Sequence, residues 1–394
     1  MTTLPKFPAK ILNEIDCPEL EILLSCVRTT LDEKTLQKPK ILLQQELNWK
    51  YLLKTASYQG ILPLLAHNLI TFYSEAIPKI VLSNLKQYLQ RNAVDNLLLT
   101  QELIAILKLL ETNEIAAIPF KGLVLAASVY GDVALRQISD LDILVRSEDF
   151  QVAVELFVSW GYQAKVQVPW ECHLIKENGV NIDLHREIVP KHLSSSLSSD
   201  YIWQHLEPIS LARTNVLTLN PEANLLILSL NGTKECWQSL SRICDVAELI
   251  RTYPNLNWQQ VMDQGKSMGF ERVIFLSLFL ASNLLDAKIP DFIWQQMELD
   301  PALPQLIIRV YDKLFSEPSD LAGTVETTLF HIKTRERWQD KVQSFVGLMK
   351  LSGWLRPTKR DRQLIPLPGL FSFLYYLIRP IRVLIRYRSV LFNK

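Results

Sequence analysis

Apolar residues recur at helical spacing through most of the chain and change to a spacing of two only between about residues 113 and 220. Leu20, Leu23, Leu24 and Val27 share one helix face, as do Leu47, Tyr51, Leu52 and Thr55-Ala56, a pattern that Gly60 and Pro63 punctuate. From Ile80 to Leu110, apolar positions at Leu82, Leu85, Leu89, Leu97, Leu98, Ile104 and Leu107 predict one long helix or two. Residues 1–112 therefore read as a helical cap packed on the central segment of the chain, with a separate helical domain as the alternative.

The middle of the chain alternates strand and helix signals. Ile115 to Phe120 predicts a first strand, leading into Lys121-Gly122 and a short helical segment that ends near Tyr130-Gly131. Ser139 to Val145 reads as a second strand. Glu148 to Trp160 comes next as a helix, with Ser147 as N-cap and Gly161 just past its end. Tyr162 to Val168 alternates as a strand does. His173 to Glu177 and Val180 to His185 flank Asn178-Gly179, a hairpin signal of the type I′ kind. Asn215 to Asn220 closes this α/β core of residues 113–220 as a short strand. Beyond it the pattern is helical again. Asn220 and Pro221 open a helix, and further helices are expected at Ser241–Arg251, Trp258–Met268, Val273–Leu285, Leu303–Phe315 and Thr327–Leu351. Residues 221–350 form a C-terminal helical domain in this reading and 351–394 a tail.

Candidate chemistry concentrates on the two-residue period. Asp140 and Asp142 project from one strand face while Leu141, Ile143 and Val145 point into a core. Like charges so placed repel unless a cation lies between them. The hairpin puts Asp183 on a strand able to lie beside them. Three carboxylates on adjacent strands make a hard oxygen site suited to Mg²⁺ or Mn²⁺. An Asp-x-Asp alone is weak, but carboxylates within an apolar strand are costly unless paired or metal-bound. The plainer reading of Asp183 is an ion pair with Arg186 or Lys176, and of Lys121 and Arg136 a structural pair with a carboxylate. His185 shares the Asp183 face, as a neighbour of the site or a satisfied core histidine. Asn231-Gly232, Trp237, Arg242 and Asp245 read either as core or as the lining of a pocket.

The pattern Lys121-Gly122, Tyr130-Gly131, Arg136, Ser139-Asp140-Leu141-Asp142-Ile143-Leu144-Val145 and Ile182-Asp183-Leu184-His185 resembles the bacterial uncharacterised nucleotidyltransferase family of the DNA polymerase β-like superfamily. The resemblance implies an α+β fold: a small mixed sheet with helices, flanked by N- and C-terminal helical regions. It implies transfer of a nucleoside monophosphate from an NTP, with ATP the leading candidate, to an acceptor hydroxyl, releasing pyrophosphate. Asp140, Asp142 and Asp183 would be the catalytic and metal-holding residues for two Mg²⁺ or Mn²⁺ ions. Lys121, Gly122, Arg136 and Ser139 would bind the nucleotide. Many members of the superfamily carry Gly-Ser or Gly-Gly about ten residues before the Asp-x-Asp. Here Lys121-Gly122 stands in that place, with Gly122 eighteen residues before Asp140, so the hydroxyl that would touch a phosphate is missing. A non-catalytic nucleotide-binding or scaffold protein that keeps the fold is the alternative from another class, and metal-dependent phosphate hydrolysis a third.

Composition changes this picture only locally. The chain has 394 residues, is 48% hydrophobic and carries a formal charge of +1, so no global charge points to nucleic acid. Five cysteines without a Cys-x-x-Cys pair fit free thiols in a reducing compartment, and no signal-peptide pattern is present, so the expected location is the cytoplasm. From Lys350 onward there are ten Lys or Arg, one acid (Asp361) and interleaved aromatics. That tail suits a peripheral membrane surface, an acidic partner or, with less support, a nucleic-acid backbone. A helix with a solvated basic face is the plain alternative.

Overall fold

A computed structural model describes residues 17–191, 193, 197–314, 324–351, 368, 374–375 and 382. The basic tail expected over 351–394 lies almost wholly outside the described residues. The N-terminal helices are α1 (Pro18–Cys26), α2 (Glu33–Leu42), α3 (Trp49–Tyr58), α4 (Leu62–Tyr73) and α5 (Lys79–Thr112). Asp32 and Asn48 cap α2 and α3 by accepting the backbone N–H groups of Thr35 and Tyr51. The ambiguity over Ile80–Leu110 resolves as a single helix. At 34 residues, α5 is about 50 Å long, long enough to bury Leu85 in one core and Leu103, Ile106 and Leu110 in another.

The α/β segment begins with β1 (Ala117–Pro119), then α6 (Gly122–Leu125), which runs on as one π turn over Ala126–Tyr130. After it come β2 (Leu141–Val145), α7 (Phe150–Ser159), β3 (Tyr162–Val168), β4 (Glu171–Lys176) and β5 (Asn181–His185). They form a mixed sheet in the order β1-β2-β5-β4-β3, in which β2 and β5 are parallel and the other neighbours antiparallel. The period of two sorts its residues. Leu141, Ile143 and Val145, Cys172 and Leu174, and Ile182 and Leu184 all enter one small core against α5 and α7. Asp142, Glu171, His173, Asp183 and His185 therefore share the opposite face.

The rest comprises α8 (Ser199–Gln204), a two-stranded sheet of β6 (Leu206–Leu211) and β7 (Thr214–Leu219), and then α9 (Pro221–Lys234), α10 (Leu240–Thr252), α11 (Trp258–Met268), α12 (Glu271–Leu285), α13 (Asp291–Met297), α14 (Leu303–Leu314), α15 (Thr324–Lys333) and α16 (Trp338–Leu351). Helices from both ends of the chain share one large core, which also takes Ile118, Phe120 and Leu144 from the second face of the sheet. The architecture is α+β, a small mixed sheet embedded among helices. No helix among the described residues is long and apolar enough to cross a membrane.

Three local expectations change. The helix expected at Glu148–Trp160 starts at Phe150 with Asp149 at its N-cap, and Ser147 does not cap it. The helix expected at Thr327–Leu351 is broken between α15 and α16. There Arg272 donates to the carbonyls of Lys333 and Arg335, so a tertiary partner satisfies backbone that a continuous helix would, while the Arg337 side chain ties the break to the carbonyls of Lys266 and Ser267 in α11. At Asn178-Gly179 only Gly179 has positive φ, so the loop is not a type I′ turn. Lys176 N–H instead donates to Val180 C=O across three residues. The two-residue loop with positive φ at both positions is Ala212-Arg213, between β6 and β7, at 47° and 66°.

Ala and Arg both resist that left-handed backbone, whereas Asn-Gly adopts it readily. The double substitution Ala212→Asn/Arg213→Gly is expected to raise the free energy of unfolding by roughly 1 kcal/mol. Urea denaturation of the two proteins measures it.

Candidate active site

Each acidic residue reaches the site through strand register. The parallel ladder sets Asp142 directly opposite Asp183. Antiparallel pairing then places His173 opposite Asp183 and Glu171 opposite His185. Asp140 sits one residue before β2, at the same mouth. Asp140, Asp142, Glu171, Asp183 and His185 line a cavity of about 260 Å³ together with Lys121, Gly122, Arg136 and Ser139, and with Gly60, Asn231, Lys234, Glu235, Ser241 and Arg242 from the helical body. All seven residues singled out from the sequence thus meet at one cavity, although their roles there differ.

Asp142 is the best-compensated acid. Its Oδ1 lies 3.0 Å from His185 Nε2 and 3.6 Å from Lys121 Nζ. Burial alone would raise its pKa, but Lys121 and the His185 hydrogen bond outweigh burial and hold its carboxyl well below the usual carboxylate range. Asp140 lacks this compensation. Burial, then repulsion from Asp142 and Asp183, push its carboxyl upward, with Lys121 and the Ser139 hydroxyl opposing weakly. Ser139 Oγ donates to Asp140 at 3.2 Å. Asp183 pairs with neither Arg186 nor Lys176. Its Oδ1 lies 2.6 Å from His173 Nδ1, and Lys176 instead reaches Glu102 on α5 at 2.7 Å.

Lys121 occupies a costly backbone position, φ 57° and ψ −142°, and Gly122 comes next at φ 37°. A lysine there persists only where its surroundings over-determine it. Here the ammonium is buried, lies over the Phe120 ring at 4.7 Å and faces Asp142. Burial lowers its pKa, with Asp142 pulling the other way and Lys234 and Arg242 adding to the lowering. The two positive φ values turn β1 sharply into α6, which delivers Lys121 beneath the carboxylates.

Arg136 lines the cavity, yet its guanidinium is engaged elsewhere. It donates to both oxygens of buried Asp245 on α10 at 3.0 and 2.9 Å, and Tyr130 OH donates to the same carboxylate at 2.7 Å. Asp245 raises the Arg136 pKa further despite burial. On α5, Asn92 and Asn96 donate to the carbonyls of Val133, Ala134 and Arg136. The segment that delivers Asp140 is therefore fastened to both α5 and α10. The cationic wall facing the carboxylates comes instead from Lys234 on α9 and Arg242 on α10. Arg242 makes a two-pronged pair with Glu235 at 2.8 and 3.0 Å, while Lys234 forms no ion pair among the described residues. In the sequence, Asn231 and Arg242 are legible only as an alternative lining, and Lys234, Glu235, Glu171 and His173 are not singled out. No local signal marks them, because each becomes a site residue only through register or helix packing.

The donor set suits a divalent cation. Ligand atoms of Asp142, Asp183 and His185 lie within 4.8 Å of one another, and Asp140, outside that cluster, brings a fourth donor to the same cavity.

A family model described as "Uncharacterised nucleotidyltransferase" matches residues 45–286. The chain belongs to that family. It is also similar to a lincosamide antibiotic adenylyltransferase, LnuA, solved with lincomycin bound, at 18% identity and a TM-score of 0.30 over 38% of this chain and 94% of that one. An antigenic nucleotidyltransferase-like protein from Paracoccidioides brasiliensis is similar at 17% identity and a TM-score of 0.31, over 52% of this chain and 96% of the other. No curated protein matches the chain.

The charges lead to two stability outcomes. Arg136→Met leaves the buried Asp245 carboxylate without its cation and is expected to cost about 3–5 kcal/mol. Adding Asp245→Leu restores most of that loss in urea melts, though not the Tyr130 hydroxyl's acceptor. Asp140→Asn works the other way. An acid whose folded pKa is raised binds more protons folded than unfolded, so stability falls as pH rises through the window above its ordinary value. Without divalent ions, Asp140→Asn is expected to melt at a higher temperature than wild type at neutral pH, and to lose that slope. A wild-type midpoint equal to or above that of Asp140→Asn would contradict it.

Proposed function

We propose that this member of the uncharacterised nucleotidyltransferase family transfers a nucleoside monophosphate from an NTP, ATP being the expected one, to an acceptor hydroxyl. The observation that carries the reading is the register of β2 and β5, which sets Asp142 against Asp183 with Asp140 at the same mouth, across a cavity from Lys234 and Arg242. One wall attracts cations and the other attracts phosphates.

Asp140, Asp142 and Asp183 would hold two divalent cations, Mg²⁺ or Mn²⁺. When bound, these neutralise the triphosphate and make the acceptor hydroxyl more acidic. The chain's own groups do the rest. Lys234 and Arg242 draw the β- and γ-phosphates toward the helical body, and Lys121 meets the charge from below. Gly122, with no side chain at the start of α6, leaves the backbone open to a phosphate. Ser139 orients Asp140, and Arg136 acts on the nucleotide site by holding the preceding segment in place. The acceptor oxygen attacks the α-phosphorus, the bond to the β-phosphate oxygen breaks, and pyrophosphate leaves with that electron pair. Asp183, steadied by His173, receives the acceptor proton. Most of the acceleration then comes from positioning and from charge met by fixed groups.

The test is calorimetric titration of non-hydrolysable analogues of the four NTPs, with and without Mg²⁺. Wild type is expected to bind one of them only with Mg²⁺, and Asp140→Ala/Asp142→Ala to bind none. Lys234→Ala is expected to weaken binding roughly tenfold, the equivalent of one charge-assisted hydrogen bond. Binding indifferent to Mg²⁺ and to both aspartates would replace this reading with a non-catalytic nucleotide binder.

A further inference from the structure

We infer that His185 is itself a metal ligand, with Glu171 as its positioning residue, so that the site prefers a cation that accepts nitrogen, such as Mn²⁺, over Mg²⁺. The inference rests on the proposed use of the carboxylates to bind divalent cations.

Three features of His185 lead there. Its ligand atom belongs to the tight group, with those of Asp142 and Asp183, that spans no more than 4.8 Å, whereas Asp140 stands outside it. The metal-facing set closest to a common point is therefore two carboxylates and an imidazole rather than three carboxylates. Next, the ring is fixed. His185 is buried, sits at the end of β5 and meets the Phe120 ring edge-on at 5.1 Å, so Nε2 stays aimed at the acids. Last, its other nitrogen is unsatisfied. Nδ1 is buried and has no hydrogen-bond partner, and the nearest carboxylate, Glu171 Oε2, is 3.6 Å away.

A histidine that only orients Asp142 needs Nε2 alone and leaves Nδ1 stranded, an arrangement that folded chains avoid. A metal-bound histidine needs both nitrogens. It coordinates through one and donates the other N–H to a carboxylate, which fixes the tautomer and makes the imidazole a stronger donor. Glu171 stands directly opposite His185 in the β4–β5 register, where that carboxylate is required. A small closing movement converts the 3.6 Å approach into the missing hydrogen bond. Mg²⁺ holds oxygen ligands and gives up water reluctantly, while imidazole suits the first-row transition ions, so the nitrogen shifts the preference.

Pulsed EPR of stoichiometric Mn²⁺ on the full-length chain reads the ligand directly, without any turnover. The expected result is ¹⁴N modulation in wild type that disappears in His185→Phe, a variant that keeps an aromatic ring against Phe120. The ratio of Mn²⁺ to Mg²⁺ affinity is expected to fall about tenfold or more in His185→Phe, and Mn²⁺ affinity about tenfold in Glu171→Ala with ¹⁴N modulation retained. Bound Mn²⁺ with no ¹⁴N modulation in wild type overturns the inference and leaves the carboxylate reading standing, whether or not the variant folds. Modulation that persists in folded His185→Phe assigns the nitrogen to another residue and overturns it too. No Mn²⁺ or Mg²⁺ binding at all overturns both readings.

Discussion

Holding like charges close together is the constraint that the rest of this structure serves. Three carboxylates at the mouth of β2 and β5 would separate if the strands were free to slip. The strands cannot slip, because a shift of one residue would turn Leu141, Ile143, Ile182 and Leu184 out of the small core and Asp142 and Asp183 into it. The apolar face of the sheet thus fixes the electrostatics of its polar face. Compensation is partial and uneven. Asp142 receives Lys121 and His185, Asp183 receives His173, and Asp140 is left repelled. A chain under selection for stability alone would do better with an asparagine at 140. An acid at 140 is what the proposed cation site would require.

The second constraint is a buried ion pair that links sheet to helices. Arg136 and Asp245 are 109 residues apart in sequence and bond through both guanidinium prongs, with Tyr130 completing the carboxylate's partners. Such a pair adds little net stability against an apolar substitute, but it tolerates no loss of one member. Its value lies in geometry. It fastens the approach to Asp140 onto α10, and α10 also carries Arg242 into the cavity. The anionic wall from the sheet and the cationic wall from the helical body are thereby set against each other by the same contact.

How much of this could be read beforehand depends on how local each feature is. Asp140, Asp142 and Asp183 were legible because a period of two and an Asn-Gly loop are properties of adjacent residues. So were the Asn220-Pro221 start of α9 and the bounds of β3 and α11. The exact turn was not. Asn-Gly draws a type I′ reading, yet three residues separate the paired ends at 176 and 180, while Ala212 and Arg213 take up the left-handed turn because β6 and β7 close around them. β6 itself carries Pro208, which demotes any strand reading. The partner of Arg136, the histidine beside Asp183 and the cationic role of Lys234 were invisible for one reason. Each depends on which distant segment packs nearby, and no short-range pattern encodes that.

The backbone at Lys121 shows how the two kinds of information meet. In sequence, Lys121-Gly122 departs from the small-residue pair expected at a phosphate-binding turn, and the departure reads as a loss. In the structure the glycine still allows the chain to turn at positive φ, while the lysine accepts a costly conformation of its own. In exchange, a cation is buried under Asp142 and between the two walls. A serine at 121 would offer a hydroxyl to a phosphate but leave Asp142 with His185 alone, and the repulsion now borne by Asp140 would spread to both acids. The substitution therefore moves the turn's contribution from hydrogen bonding a phosphate to balancing the carboxylates. Among the described residues the cavity's unpaired cation, Lys234, comes from α9 instead, with Arg242 beside it from α10.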